Sequence, residues 1–158
     1  MRSFISFDSK NVIDFGCNAG GMLFHLLEID KGIGFDYDEK CIEAANSIKD
    51  ILKTNKVSFL KFDLDKDNYT KLKEYITFKP DIILLLSIGS WISNIEKLFD
   101  LCIDYGSKVI LESNNKETED HFLSYFSKAG YTYILISDKS DDDILKTNYG
   151  RKTYLLNR

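Results

Sequence analysis

Residues 11–21 read N-V-I-D-F-G-C-N-A-G-G and run directly into M-L-F-H-L-L over 22–27. Val12, Ile13 and Phe15 read as a short buried strand and residues 16–21 as a turn. Met22 onward reads as a helix whose first amides lie beside that turn. Strand, glycine turn and helix start, in this order, make a nucleotide-binding element. Without a side chain at Gly16 and Gly20, the backbone can take conformations closed to other residues, and a ligand can approach it closely. The bland alternative is a glycine turn that joins strand to helix and holds no ligand.

Spacing separates two ligands that use such an element. A dinucleotide fingerprint G-x-G-x-x-G laid on Gly16 needs glycine at position 18, where the chain has Asn18, although Gly21 fits the third place. The middle glycine admits a pyrophosphate, so a bulky amide there argues against an NAD-dependent oxidoreductase, which stays as the remoter alternative. What fits is D-x-G-x-x-x-G at Asp14, Gly16 and Gly20. This resembles motif I of the class I S-adenosylmethionine (SAM) dependent methyltransferases. The resemblance implies that the loop, Cys17 and Asn18 included, wraps the amino-acid and ribose part of S-adenosyl-L-methionine, with Asp14 near the methionyl ammonium.

At 158 residues the chain is expected to form one domain, long enough for a single well-covered sheet. A formal charge of −4 gives no general attraction to phosphate backbones, and no clear nucleic-acid motif is present. Cys17, Cys41 and Cys102 fall into no C-x-x-C pair, which fits a reducing compartment and gives a structural zinc no support. There is no signal-peptide pattern and no apolar run of membrane-spanning length, so a cytoplasmic protein is expected. Residues 1–10 are a short lead-in. The resembling family usually carries a longer N-terminal segment that closes over the cofactor, so here a lid is expected from elsewhere, from a partner subunit, or to be absent.

Beyond the glycine turn, residues 22–28 are apolar nearly all round, as in a helix wedged beneath a sheet, with His25 read as a packed or hydrogen-bonded helix residue. Residues 33–36 read as a second strand ending in Asp36, twenty residues after Gly16, the distance at which a carboxylate meets a ribose diol. The alternative is that Asp36 caps the next helix, the role assigned to Asp38. Ile42, Ala45, Ile48, Ile51 and Leu52 then recur at helical spacing. Residues 57–62 form a third strand, followed by Asp63 and Leu64. By the resemblance, Tyr37 packs beside the adenine, Asp63 takes the adenine amino group as in motif III, and Leu64 covers the ring. An aspartate after a strand is also an ordinary turn residue.

A helix is expected over 66–78 with Leu72, Tyr75 and Ile76 inward, stopped by Pro80. The apolar strand 82–86 then reads as a central parallel one, buried on both faces. It opens into Ser87, Ile88, Gly89, Ser90 and Trp91, which resembles motif IV and implies cofactor contacts from Ser87 and Ile88. No N-P-P-Y, D-P-P-Y or P-C accompanies it, so neither in-plane amino chemistry nor cysteine-based cytosine chemistry is indicated. Trp91 either walls an acceptor pocket or packs on the next helix. That helix is expected over 94–105, ended by Gly106, with a fifth strand at 108–111.

Glu112, Ser113, Asn114 and Asn115 follow and are acceptor candidates, with capping of the helix near Glu117 as the alternative. His121 on that helix faces either a cleft or solvent. Strands at 131–136 and 152–156 close the chain around a polar connection containing Asp141, Asp142 and Asp143. That run reads as a solvated acidic loop and not as a metal site. G-R-K-T at 150–153 reads as a basic strand start that keeps an edge soluble, or as an anion contact.

The order implies an α/β fold, three-layer α/β/α and Rossmann-like. Its seven-stranded sheet is mostly parallel and has an antiparallel last strand: five β-α units over 11–130 and a terminal hairpin over 131–158. By resemblance the function is methyl transfer from S-adenosyl-L-methionine to an acceptor expected to be a small molecule, with no catalytic base named. The alternative in another class is a SAM-binding subunit that serves a partner.

Overall fold

Short apolar runs closed by glycine, aspartate or proline become strands of five or six residues, and the amphipathic stretches between them become helices. The structure, a computed structural model, describes residues 5–114, 116–139 and 150–158. In chain order the elements are β1 (Asn11–Phe15), α1 (Gly21–His25), β2 (Lys31–Asp36), α2 (Glu39–Leu52), β3 (Val57–Lys61), α3 (Thr70–Tyr75) and β4 (Ile82–Leu86). A 3-10 turn (Gly89–Trp91), α4 (Ile95–Tyr105), β5 (Lys108–Glu112), α5 (Lys116–Lys128), β6 (Thr132–Ser137) and β7 (Thr153–Asn157) follow. The strands form a seven-stranded sheet in the order β3-β2-β1-β4-β5-β7-β6, and β7 runs antiparallel to both β5 and β6. This is the mostly parallel sheet with an antiparallel last strand that the sequence implied. Residues 1–4, Asn115 and the Asp141, Asp142, Asp143 run lie outside the described residues. Two compact units make up the chain, one Phe7–Ile83 and the other Leu84–Arg158 with Ile5 and Ser6.

In the first unit, β1 pairs in parallel with β2, Phe15 opposite Phe35, and β2 with β3, Phe35 opposite Leu60. The carboxyl ends of all three strands therefore emerge on one edge. Phe15 and Phe35 stack at 5.5 Å, and Phe62 meets Phe35 edge-on at 6.0 Å. All three rings are fully buried, and each such burial contributes about 1.5–3 kcal/mol.

Three helix expectations in this unit are corrected. α1 is one turn and a half, Gly21–His25, and does not reach 28: Leu26 turns back toward the core while Leu27 is exposed. α2 buries Ile42 and Ala45 only, and Ile51 and Leu52 stand in solvent. Its 14 residues span about 21 Å. The five-residue β3 beside it spans about 17 Å, and of the helix's apolar stripe only Ile42 and Ala45 are covered. α3 starts at Thr70 and not at 66, because the segment before it is taken up by a turn that Asp63 organises. Leu72 and Ile76 are buried there while Tyr75 is exposed.

In the second unit, α4 buries Ile95, Leu98, Phe99, Leu101 and Cys102 and ends at Gly106 in the left-handed conformation, φ 64°. Phe99 is the centre of an aromatic cluster, 5.0 Å from Phe122 and 4.9 Å from Phe126, and Phe126 in turn lies 5.4 Å from Tyr131. β7 pairs with β5, Leu111 opposite Tyr154, and with the edge strand β6. Among the described residues no helix is long and apolar enough to cross a membrane.

Candidate functional site

The strand tips of the first unit gather the glycine loop, Asp14, Asp36 and Asp63. Gly16, Asn18 and Gly20 take positive φ of 75°, 49° and 79°. Asn18 thus occupies the left-handed region that asparagine tolerates better than most residues. At Gly20 a Cβ would come within 2.6 Å of the Phe59 ring, so the glycine is required by sterics as well as by its φ.

Every backbone amide from Gly16 to Gly20 is already bonded within the protein. Gly16 and Cys17 donate to the Phe35 carbonyl at 2.8 and 3.0 Å, and Gly20 donates to the Cys17 carbonyl at 2.9 Å. Asn18 donates to Asp36 Oδ2 at 2.8 Å, and Ala19 to Asn18 Oδ1 at 2.7 Å. None of these five amides is therefore left to cradle a phosphate, and the charge brought to the loop is the Asp36 carboxylate.

Asp14 is buried among strands. Burial, with the nearby Asp36 charge second, pushes its carboxyl from 3.8 up to about 7. Asp36 accepts at both oxygens, from Asn18 and, through Oδ1, from the Asp38 N–H at 3.0 Å. Each carboxylate oxygen keeps a second lone pair, so a diol can still be bound. Asp38 caps α2 by accepting the Lys40 N–H at 2.9 Å, as expected. Asp63 accepts from the Asp65 N–H at 3.0 Å and from Lys66 Nζ at 2.9 Å, and the Lys66 hydrogen bond holds its carboxyl below the usual range. Tyr37 is exposed, and Leu64 is half-buried. The Cys17 side chain turns inward onto Gly34 of β2, and burial pushes its thiol up.

The second unit carries a separate polar cluster. Ser87 leaves β4 at φ 58°. Its hydroxyl donates to Glu112 Oε1 and accepts from Arg151 Nη1, and Arg151 lies 3.3 Å from Glu112. Asn114 Nδ2 donates to the Ser87 carbonyl at 2.8 Å. Ile88 is buried just beyond the end of this strand, whereas Trp91 is 79% exposed.

Next to it, Glu119 accepts from Lys152 Nζ at 3.0 Å and from the Tyr154 hydroxyl at 2.8 Å. Burial pushes the Glu119 carboxyl up, but the hydrogen bonds from Lys152, Tyr154 and Ser113 outweigh it and leave the group below its usual value. His121 joins neither set. It faces a groove of about 440 Å³ between α4 and α5, with Nε2 3.4 Å from Glu96 Oε1.

Sequence reasoning missed Arg151 and Glu119. At a strand start Arg151 reads chiefly as a solubilising residue, but its side chain is only 14% exposed and is ion-paired. Its partner Ser87 lies 64 residues away in the chain, a separation that no local pattern encodes. Glu119 sits on an amphipathic helix where a carboxylate ordinarily faces water.

No protein-family model matches the sequence, and no curated protein matches it. Solved structures do match. The precorrin-6y C5,15-methyltransferase of Geobacter metallireducens is similar with TM-score 0.72 at 9% identity, over 97% of this chain and 83% of that one. The methyltransferase domain of bacterial CtHen1 is similar with TM-score 0.71 at 16% identity, over 95% of this chain and 90% of that one. An rRNA methylase from Streptococcus thermophilus follows with TM-score 0.65 at 15% identity, over 96% and 89%. With its strand order and antiparallel last strand, the chain has the Rossmann-like fold of the class I SAM-dependent methyltransferases.

Proposed function

We propose that the chain is a SAM-dependent methyltransferase acting on a small-molecule acceptor. The observation that carries this reading is the inverted polarity of the glycine loop: its amides from Gly16 to Gly20 are spent on the protein, and Asp14 and Asp36 place carboxylates beside it. Such a site suits a ligand that is cationic and carries a diol, and it suits a pyrophosphate poorly.

Asp14 would then face the methionyl ammonium and Asp36 the ribose diol, with Tyr37, Asp63 and Leu64 about the adenine and the loop residues Gly16, Cys17, Asn18 and Gly20 around the remainder. Ser87 and Ile88 are assigned to the cofactor, and Trp91, Glu112, Asn114 and His121 to the acceptor. Bound SAM supplies an electrophilic methyl group. The protein's part is to hold an acceptor in line with it and to exclude water.

Isothermal titration of the purified chain with SAM, followed by a methyl-transfer screen, tests the reading. Binding with transfer supports it. Tight binding without transfer to any acceptor would point to a SAM-binding subunit, and NAD binding that survives Asp63→Ala would point to an oxidoreductase.

A further inference from the structure

The turn after β4 spends many contacts on fixing its backbone and none on burying its aromatic side chain. Gly89 lies on Phe122 so closely that a Cβ would come within 2.4 Å of the ring, and Phe122 is itself held edge-on against Phe99 at 5.0 Å. Asn114 clamps the turn at both ends, donating to the Ser87 carbonyl at 2.8 Å and accepting the Ser90 N–H at 3.2 Å. The Trp91 N–H donates to the Ile88 carbonyl at 3.0 Å. Ser87 enters the turn at φ 58°, its hydroxyl held between Glu112 and Arg151. Trp91, the chain's one tryptophan, nevertheless stands 79% exposed. An indole usually buries most of its surface, and an aromatic core lies directly beneath this turn.

We propose that Trp91 is a stacking platform for a methyl acceptor built on a planar aromatic or heteroaromatic ring. The inference rests on the methyltransferase reading, whose acceptor class it names, and it is independent of which residues hold the cofactor. Because the backbone beneath the indole is clamped before any ligand arrives, stacking costs the side-chain freedom of the indole and little of the backbone's. An indole face pairs with any planar π-face, whereas a saturated ring gains contact area alone. The net charge of −4 favours a free small ring over a strand of nucleic acid.

Since Trp91 is the only tryptophan, its fluorescence reports this position directly. The full-length chain is titrated with nicotinamide, with catechol and with cyclohexane-1,2-diol, each with and without saturating S-adenosylhomocysteine. Saturable quenching by at least one planar ring, absent with the saturated diol, is expected. By calorimetry, Trp91→Ala should weaken binding of that ring about ten-fold or more, while Trp91→Phe retains most of it. Circular dichroism checks that both variants remain folded.

Quenching that is only linear and collisional for both rings would overturn the proposal, as would unchanged affinity in Trp91→Ala. So would quenching by a single-stranded RNA oligomer that falls steeply with salt and is matched by neither free ring. Calorimetry with S-adenosylhomocysteine keeps the two readings apart. Cofactor binding without ring binding sinks the platform alone, and ring binding without cofactor binding sinks the methyl-donor reading and with it the acceptor role, leaving Trp91 as a ring-binding surface only.

Discussion

Oδ2 of Asp36 accepts the backbone N–H of Asn18 at 2.8 Å, so the tip of β2 holds the glycine loop that leaves β1. One carboxylate thus shapes the loop and, in the proposed function, binds the ribose. Asp36→Ala is expected to weaken SAM binding by about 1–3 kcal/mol, since a diol and a loop amide both lose their acceptor. Titration calorimetry measures it, and unchanged affinity would remove Asp36 from the ligand site.

Asp14 should leave a signature in the pH dependence of stability. Its carboxyl rises from 3.8 to about 7 through burial, with Asp36 second. A carboxyl whose folded value exceeds its unfolded value contributes most to stability below about pH 4, and that contribution is lost as the pH climbs toward 7. Asp14→Asn carries no such charge. Its unfolding free energy from urea titration should gain on the parent between pH 4 and pH 7, by at most about 1.4 kcal/mol per pH unit, and the gap should be level above that. Parallel profiles would show that Asp14 titrates normally.

Gly34→Ala tests the support behind the loop. A Cβ there would meet Cys17 Sγ and Phe59 Cδ1, each at 2.8 Å, and both side chains are buried. Overpacking of this kind costs about 1–3 kcal/mol, and pushing Cys17 outward should also weaken SAM binding. Chemical denaturation and calorimetry on the same sample report the two effects, and a variant that matches the parent in both would mean the loop yields freely.

Glu119 holds β7 through Lys152 and Tyr154. Glu119→Ala leaves both partners without their acceptor and is expected to destabilise by about 1–3 kcal/mol, less than for a fully buried pair because the Lys152 side chain is 37% exposed. The folded-state value of Glu119 lies below 4.5, so its contribution is present above that pH and lost as the pH falls through the lower folded value. Glu119→Gln should therefore lose less stability than the parent on acidification, read as a shallower acid limb in thermal melts.

Much of this architecture was legible residue by residue. The apolar runs at Val12 to Phe15 and Ile82 to Leu86 announce buried strands because each is bounded by a polar or glycine punctuator. Gly16 and Gly20 announce a turn that only glycine can make. Asp38 announces a helix cap because it precedes an amphipathic run. The order of these elements, read with motif I, was enough for the seven-stranded sheet and its antiparallel last strand. All of these signals are local: periodicity, φ and capping act over a few neighbouring residues.

What the tertiary structure alone decided lies in pairings across long stretches of chain and in where each helix stops. Arg151 becomes an interior partner of Ser87 and Glu112 because β7 inserts beside β5. Packing covers only Ile42 and Ala45 of the apolar stripe of α2, so Ile51 and Leu52, inward by periodicity, stand in water. The tertiary structure also spends the loop amides on Phe35, Asp36 and the loop itself, so that none of the five is left to a ligand. Burial and hydrogen-bond partners are properties of packed neighbours, and a linear pattern carries only the disposition toward them.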